Sequence, residues 1–267
     1  MQEIKFDISE KDKVKVEYDK VKFLEILDNE LEDEIRLINI PNKYVRLKKD
    51  LDLKHWRLVS IEQLVSKRLF QKFGPVYRDF LTKSKNIMFI FNYIGKKPVA
   101  VVMRSLDDKI FMDISINSNI VYGLNELPDN FRYGDTIMLV EGLFDKEVMG
   151  AYLKDMGYNN IHPIAVLTSS VTNKKAELLS KITDKFIINP DNDKAGENSI
   201  ERTKTALLKQ SYGAVRIKVV KNIPFCVDYG AVKDIGDCYP ISSDVKKYLK
   251  EKIDGTMFER LVQKGDE

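Results

Sequence analysis

Cysteine, histidine and tryptophan are scarce in this 267-residue chain, which has 2 Cys, 2 His and 1 Trp. Cys226 and Cys238 form no Cys-x-x-Cys pair, so they supply neither a disulfide framework nor a structural zinc site. His55 and His162 stand singly, which removes the paired-histidine zinc motifs and leaves no obvious base for a nucleophilic triad. Long apolar runs are missing too: none approaches the roughly 20 residues that a membrane-spanning helix needs. The N-terminal Met1-Gln2-Glu3-Ile4-Lys5-Phe6-Asp7 brings in acidic charge where a secretory signal would be basic and then apolar, so a cytoplasmic protein is expected. The absence of a Gly-x-x-x-x-Gly-Lys-Ser/Thr loop disfavours ATPase or helicase chemistry in this chain. The net charge of +3 is too small to argue for nucleic acid by itself.

What is present is size, an uneven charge distribution and a set of carboxylates. A chain of this length buries either one large core or two ordinary ones. Glu30, Glu32, Asp33 and Glu34 crowd together, whereas between residues 43 and 85 basic side chains outnumber acidic ones about threefold. There Lys48, Lys49, Lys54, Arg57, Lys67, Arg68, Lys72, Arg78, Lys83 and Lys85 interleave with Tyr44, Trp56, Phe70, Phe73 and Tyr77. That pattern suits phosphate contacts combined with base stacking. It is also the pattern of a solvated basic face over buried aromatics, which is the commoner case.

The first forty residues carry only a weak alternation, Lys13-Val14-Lys15-Val16-Glu17-Tyr18, and no chemical motif. Helical spacing of Ile61, Leu64, Val65, Leu69, Phe70 and Phe73 covers Ser60 to Leu81, interrupted at Gly74-Pro75. A hairpin follows, 86–94 and 98–104 around Gly95, with a third strand from Lys109. The second half alternates strands at 136–140, 162–167, 185–189 and 214–220 with helices at 145–156, 172–182 and 195–210. This rhythm predicts an α/β fold, a parallel sheet flanked by helices and preceded by a mixed, basic N-terminal subdomain. The turn-rich Pro128 to Gly134 marks a boundary, dividing the chain into 1–130, 131–240 and a helical tail at 241–267.

Three acidic clusters fall at the C-terminal ends of these strands, the edge where ligands collect in such sheets. Glu141 and Asp145 follow Val140, Asp191 and Asp193 flank Asn192, and Asp234 and Asp237 follow Lys233. Hard cations such as Mg²⁺ take oxygen ligands, usually one or two carboxylates with water and phosphate. Asp191 and Asp193, two apart in extended chain, point to one side, and Ala195-Gly196 opens the next helix without bulk. Each cluster also has a plainer reading: Asp193 as a helix cap, Asp145 as first-turn charge, Asp234 and Asp237 as a solvated loop. Glu141 resists one, because a carboxylate that ends a buried strand needs a compensating charge, metal or hydrogen bond.

Val140-Glu141-Gly142-Leu143-Phe144-Asp145 and Asp191-Asn192-Asp193-Lys194-Ala195-Gly196 resemble the two signature segments of the topoisomerase/primase, or Toprim, domain family, over about residues 136 to 238. Lys233-Asp234-Ile235-Gly236-Asp237 is similar to the Lys-Asp-x-x-Asp segment of bacterial and phage primases. The segment Gly95 to Arg104 looks like a primase strand ending in Arg, and Val121-Tyr122-Gly123-Leu124 looks like the segment before the Toprim strand. Residues 60 to 240 are therefore similar to the RNA-polymerase core of DnaG-like primases.

This resemblance implies a DNA primase that makes short RNA primers on single-stranded DNA from ribonucleoside triphosphates. It implies Mg²⁺ or Mn²⁺, not zinc, held by Glu141, Asp145, Asp191, Asp193, Asp234 and Asp237. Glu141, Asp191 and Asp193 would be catalytic, and Arg104, Lys109 and Lys233 would contact nucleotide or template. With no zinc ribbon and no helicase motif in the sequence, a minimal phage or mobile-element primase with a separate replicative helicase is expected, in a bacterial or phage-infected cytoplasm and without membrane association. A Toprim nuclease and a non-catalytic nucleic-acid scaffold are the alternatives; a topoisomerase fits least.

Overall fold

A computed structural model describes residues 10–32, 42–108, 110–117, 119–211 and 213–263. The chain divides into two compact units, Met1–Ser118 and Asn119–Glu267.

The first unit contains α1 (Glu10–Glu30), α2 (Asn42–Asp50), β1 (Trp56–Ser60), α3 (Ile61–Ser66), α4 (Pro75–Thr82), β2 (Asn86–Ile94), β3 (Lys97–Ser105) and β4 (Phe111–Ser115). Its strands form an antiparallel sheet in the order β1-β2-β3-β4. The expected hairpin is there, with Gly95 at φ +61 in the turn, where a side chain would be strained. The alternating segment 13–18 lies inside helix α1, not in a strand. Leu24, Leu27 and Leu31 recur at helical spacing and are buried with Leu64, Phe80, Phe89 and Val101. Burying each leucine contributes about 1.5–3 kcal/mol, more than the ~1 kcal/mol span of strand propensity.

The stretch from Ser60 to Leu81 is broken more finely than its periodicity suggests. Ser60 starts α3 through a reciprocal cap with Gln63. A 3₁₀ turn at Phe70–Lys72 follows, and Pro75 opens α4, where its missing N–H costs nothing. Burial separates the aromatics of the basic stretch. Trp56 and Phe73 are buried, and Phe70 and Tyr77 are partly buried against the core, so these aromatics serve packing first, while Tyr44 is half-exposed. Lys67, Arg68, Lys72, Arg78, Lys83 and Lys85 remain exposed.

The second unit contains β5 (Thr136–Val140), α5 (Leu143–Asp155), β6 (Ile161–Ala165), α6 (Asn173–Ser180), β7 (Lys185–Ile188), α7 (Lys194–Gln210), β8 (Ala214–Val219), the short pair β9 (Phe225–Cys226) and β10 (Gly230–Ala231), α8 (Ser243–Gly255) and β11 (Glu259–Val262). The sheet order is β11-β8-β7-β5-β6, parallel except for β11, which pairs antiparallel with β8. Every residue of the interior strand β5, which lies between β7 and β6, is buried, as expected for a parallel strand covered on both faces. Ile137 and Leu139 pack with Ala176 and Leu179 of α6 and Ala206 and Leu207 of α7. The segment before the sheet is stitched onto it: Tyr122 and Ala165 exchange two backbone hydrogen bonds of 2.9 and 3.0 Å. Residues 241–263 supply a helix and an edge strand. Among the described residues, no helix is long and apolar enough to cross a membrane.

Candidate functional site

The carboxylates of the second unit gather where β5 and β7 end. Strand β5 delivers Glu141 half-buried at the turn into α5, and its carbonyl accepts the N–H of Leu167 at 3.0 Å. Burial, then the nearby negative charge of Asp191, pushes the Glu141 carboxyl above its ordinary pKa; Lys233 opposes the shift, and Asp193 and Asp234 add to it. Asp145, one turn later, is buried and serves both flanking loops. Its Oδ2 accepts the Gly142 N–H at 2.7 Å and its Oδ1 accepts the Gly236 N–H at 3.0 Å. Desolvation, then the charges of Asp234 and Asp191, raises its pKa to about 8 despite those two hydrogen bonds.

Strand β7 leads through Asn189-Pro190 into the second cluster. Asp191 is buried and its pKa is raised, first by desolvation, although Lys233 pulls the other way. Asp193 is more exposed and caps α7, accepting the Gly196 N–H at 2.8 Å, and that bond holds its carboxyl below the usual range. Thus Asp193 is a cap and a member of the acidic edge at once. Asn192 between them is put to use: its Nδ2 donates to the carbonyls of Ile223 and Val232, and its N–H donates to that of Lys233 at 2.7 Å. Behind it Asn189 donates to Asn222 Oδ1 and to the Val220 carbonyl, while Asn222 donates to the Pro190 carbonyl. These bonds hold the strand ends of β7 and β8 in one arrangement.

The third cluster closes on the first two. Asp234 caps a 3₁₀ turn at Ile235–Asp237 by accepting the Asp237 N–H at 3.1 Å, and Asp237 is exposed. Lys233 Nζ lies 3.0 Å from Asp191 Oδ2 and 3.6 Å from Asp193 Oδ2. Glu141, Asp145, Asp191, Asp193, Lys233 and Asp234 therefore act on one another electrostatically, whereas Asp237 is tied in through backbone turns. Arg104 sits half-buried in β3 of the first unit, and Lys109 lies outside the described residues.

Two glycines make the convergence possible. A Cβ on Gly196 would lie 2.3 Å from the Asp191 carbonyl oxygen, and one on Gly236 would lie 2.8 Å from Asp145 Oδ1. At Gly196 the obstacle is backbone, which has no soft rotamer to yield. Gly196→Ala is expected to displace the Asp191 loop and cost about 2–4 kcal/mol, read as a lowered urea midpoint with unchanged slope. An unchanged midpoint would refute the close approach.

Sequence patterns did not reveal the buried ionic group on α5. Lys146 pairs with Glu126 and, at 3.3 Å, with Glu147, and Tyr122 donates its hydroxyl to the same Glu147 Oε1 at 2.9 Å. The one available signal was two adjacent charges, Lys146-Glu147, immediately after a buried strand and turn. The Asn189–Asn222 lock had no sequence signal, because it joins residues on separate strands.

Comparison with known proteins agrees with this architecture. Residues 138–229 match the Toprim-like family. A DNA primase of Clostridium acetobutylicum is 30% identical over 173 residues, which is 61% of this chain and 26% of that protein. The chain thus spans about a quarter of the length of this curated relative. A structure of the DnaG primase catalytic domain bound to single-stranded DNA superposes with a TM-score of 0.60 at 14% identity, covering 92% of this chain and 81% of that one. The E. coli primase catalytic core gives 0.59 at 15%, covering 89% and 80%. Residues 138–229 are thus similar to the Toprim-like family, and the fold is like that of the DnaG catalytic core.

Proposed function

We propose that this chain is the nucleotidyl-transfer core of a DNA primase, extending RNA primers on single-stranded DNA with a divalent cation at the acidic edge. The observation that carries this reading is the convergence of Glu141, Asp145, Asp191, Asp193 and Asp234: burial first, then the neighbouring carboxylates, raises the pKa values of Glu141, Asp145 and Asp191, and Lys233 opposes the shift at Glu141 and Asp191. An all-oxygen donor set with unneutralised negative charge fits Mg²⁺ or Mn²⁺. Similarity to a DNA primase over 173 residues favours primer synthesis over nuclease or scaffold roles.

In this reading Glu141, Asp191 and Asp193 hold the cation, supported by the charge of Asp234 and Asp237. A bound divalent cation supplies Lewis-acid charge for the attacked α-phosphate and the departing pyrophosphate. Asp145 has both oxygens engaged by backbone N–H groups, so its part is to fix the Gly142 and Gly236 turns. Arg104, Lys109 and Lys233 contact triphosphate or template, and the exposed lysines and arginines of the first unit take the DNA backbone through phosphate contacts. The residues work by positioning and electrostatics. The test is oligoribonucleotide synthesis on single-stranded DNA with Mg²⁺ or Mn²⁺, with and without a replicative helicase. Wild type should make product and Asp191→Ala should not. Loss of labelled nucleic acid without any need for nucleoside triphosphates would instead establish the nuclease.

The raised carboxyl groups also set a pH dependence. The folded pKa of Asp145, about 8, lies above its unfolded value of 3.8, so the folded state binds the extra proton. Its contribution to stability is complete below the unfolded value and is lost as pH rises through about 8. Glu141 and Asp191 shift in the same direction. In EDTA the melting temperature should therefore fall steadily from pH 5 to pH 9. Saturating Mg²⁺ should flatten the profile, because a cation bound only to the folded state favours the ionised carboxylates. A flat profile in EDTA would contradict the electrostatic reading.

A further inference from the structure

Lys233 is placed where a divalent cation would have to sit. Its ammonium lies 3.0 Å from Asp191 Oδ2 and 3.6 Å from Asp193 Oδ2, two of the residues assigned above to the cation. The base of the side chain is fixed to that same loop: the Lys233 carbonyl accepts the Asn192 N–H at 2.7 Å, and the Lys233 N–H donates to Asp237 Oδ2 at 3.4 Å. The side chain itself is 59% exposed, so its four-carbon stem has room to swing while the backbone stays put. Asp191 is nearly buried, and the ammonium covers its Oδ2. An ammonium and a dication cannot share Asp191 Oδ2 without strong like-charge repulsion.

We propose that Lys233 is a built-in competitor for the cation site: it pairs with Asp191 and Asp193 in the metal-free protein, and a divalent cation must displace it to load. This rests on the assignment of the acidic edge as the cation site. The competitor has two consequences of opposite sign. It neutralises the buried Asp191 when no cation is present, which stabilises the metal-free fold. It also raises the cation concentration at which the site fills, so the site loads only above a threshold that Lys233 sets. A lysine with a purely structural role would have only the first effect.

The experiment measures Mn²⁺ binding to the full chain by the electron-spin-resonance signal of free Mn²⁺, together with melting temperature in EDTA. The proteins compared are wild type, Lys233→Met, Lys233→Arg and Asp191→Ala. Lys233→Met should melt lower than wild type in EDTA yet bind Mn²⁺ about fivefold more tightly, the factor set by a modest, partly exposed ion pair. Lys233→Arg, which keeps the charge, should bind Mn²⁺ within about twofold of wild type. Asp191→Ala should lose the site. If wild type binds Mn²⁺ and Lys233→Met binds it equally or more weakly, the competitor proposal is overturned and the cation site stands. If wild type shows no saturable binding that Asp191→Ala removes, the cation-site assignment fails and the competitor falls with it.

Discussion

Glu141→Gln should lower the proposed primer synthesis by about 10²–10³-fold, the range seen when one preorganised charge-stabilising group is removed from an active site, while leaving the metal-free protein slightly more stable. The two effects share one cause. Glu141 ends a buried strand beside Asp191, and burial and that neighbour both disfavour its ionised form. Glutamine keeps the shape and removes the charge, so repulsion is relieved when no cation is bound and a ligand of the proposed cation is lost when one is. Because the carboxyl is partly solvated, the gain is small, about 2 °C in EDTA. Mg²⁺ should raise the melting temperature of wild type more than that of the variant. A variant that melted lower in EDTA and kept its activity would remove Glu141 from the site. The result expected is the usual exchange of stability for function at a charged centre.

Lys146→Met should destabilise the protein by about 3–5 kcal/mol, the cost of removing one member of a buried ion pair. The side chains of Lys146 and Glu147 are 6% and 8% exposed, and the ammonium also pairs with Glu126 and lies 5.2 Å from the centre of the Tyr122 ring. Methionine fills the aliphatic volume but takes away the positive charge beside the Glu147 carboxylate. In a chain of this size the loss corresponds to about 10 °C in melting temperature. Adding Glu147→Gln should recover much of it, since glutamine is uncharged and still offers an oxygen to the Tyr122 hydroxyl. A double variant no more stable than Lys146→Met would show that the pair is not the stabilising unit. The position matters for function because Lys146 adjoins Asp145 in the first turn of α5, so melting this corner releases the carboxylate that ties the Gly142 and Gly236 turns together.

Those two residues mark the limit of what was legible. The parallel sheet was readable because β5 and β7 are short, mostly apolar runs, β8 alternates apolar and basic residues, and amphipathic helices separate them. The acidic edge was readable because strand direction alone brings Glu141 and Asp191 to the same end. Helix α1 was not readable: its alternating start resembles a strand, and the leucines that make it a helix acquire meaning only against the core of β2 and β3. The aromatics of the basic stretch were ambiguous for the same reason, since a phenylalanine that stacks on a base and one that fills a core look alike in sequence. Strand β11 was hidden because edge pairing with β8 depends on a partner, with little apolar signal of its own in Glu259-Arg260-Leu261-Val262.

Sequence alone determined the α/β alternation, the order of the carboxylate clusters and the glycines that follow them, because local periodicity and chain direction suffice for these. Tertiary structure decided what each carboxylate does. Asp145 spends its oxygens on two backbone turns, Asp193 caps a helix while facing the acidic edge, and Asp191 is met by the ammonium of Lys233. Those roles depend on desolvation and on distances of about 3 Å between residues far apart in the chain, and no spacing rule along the sequence encodes either.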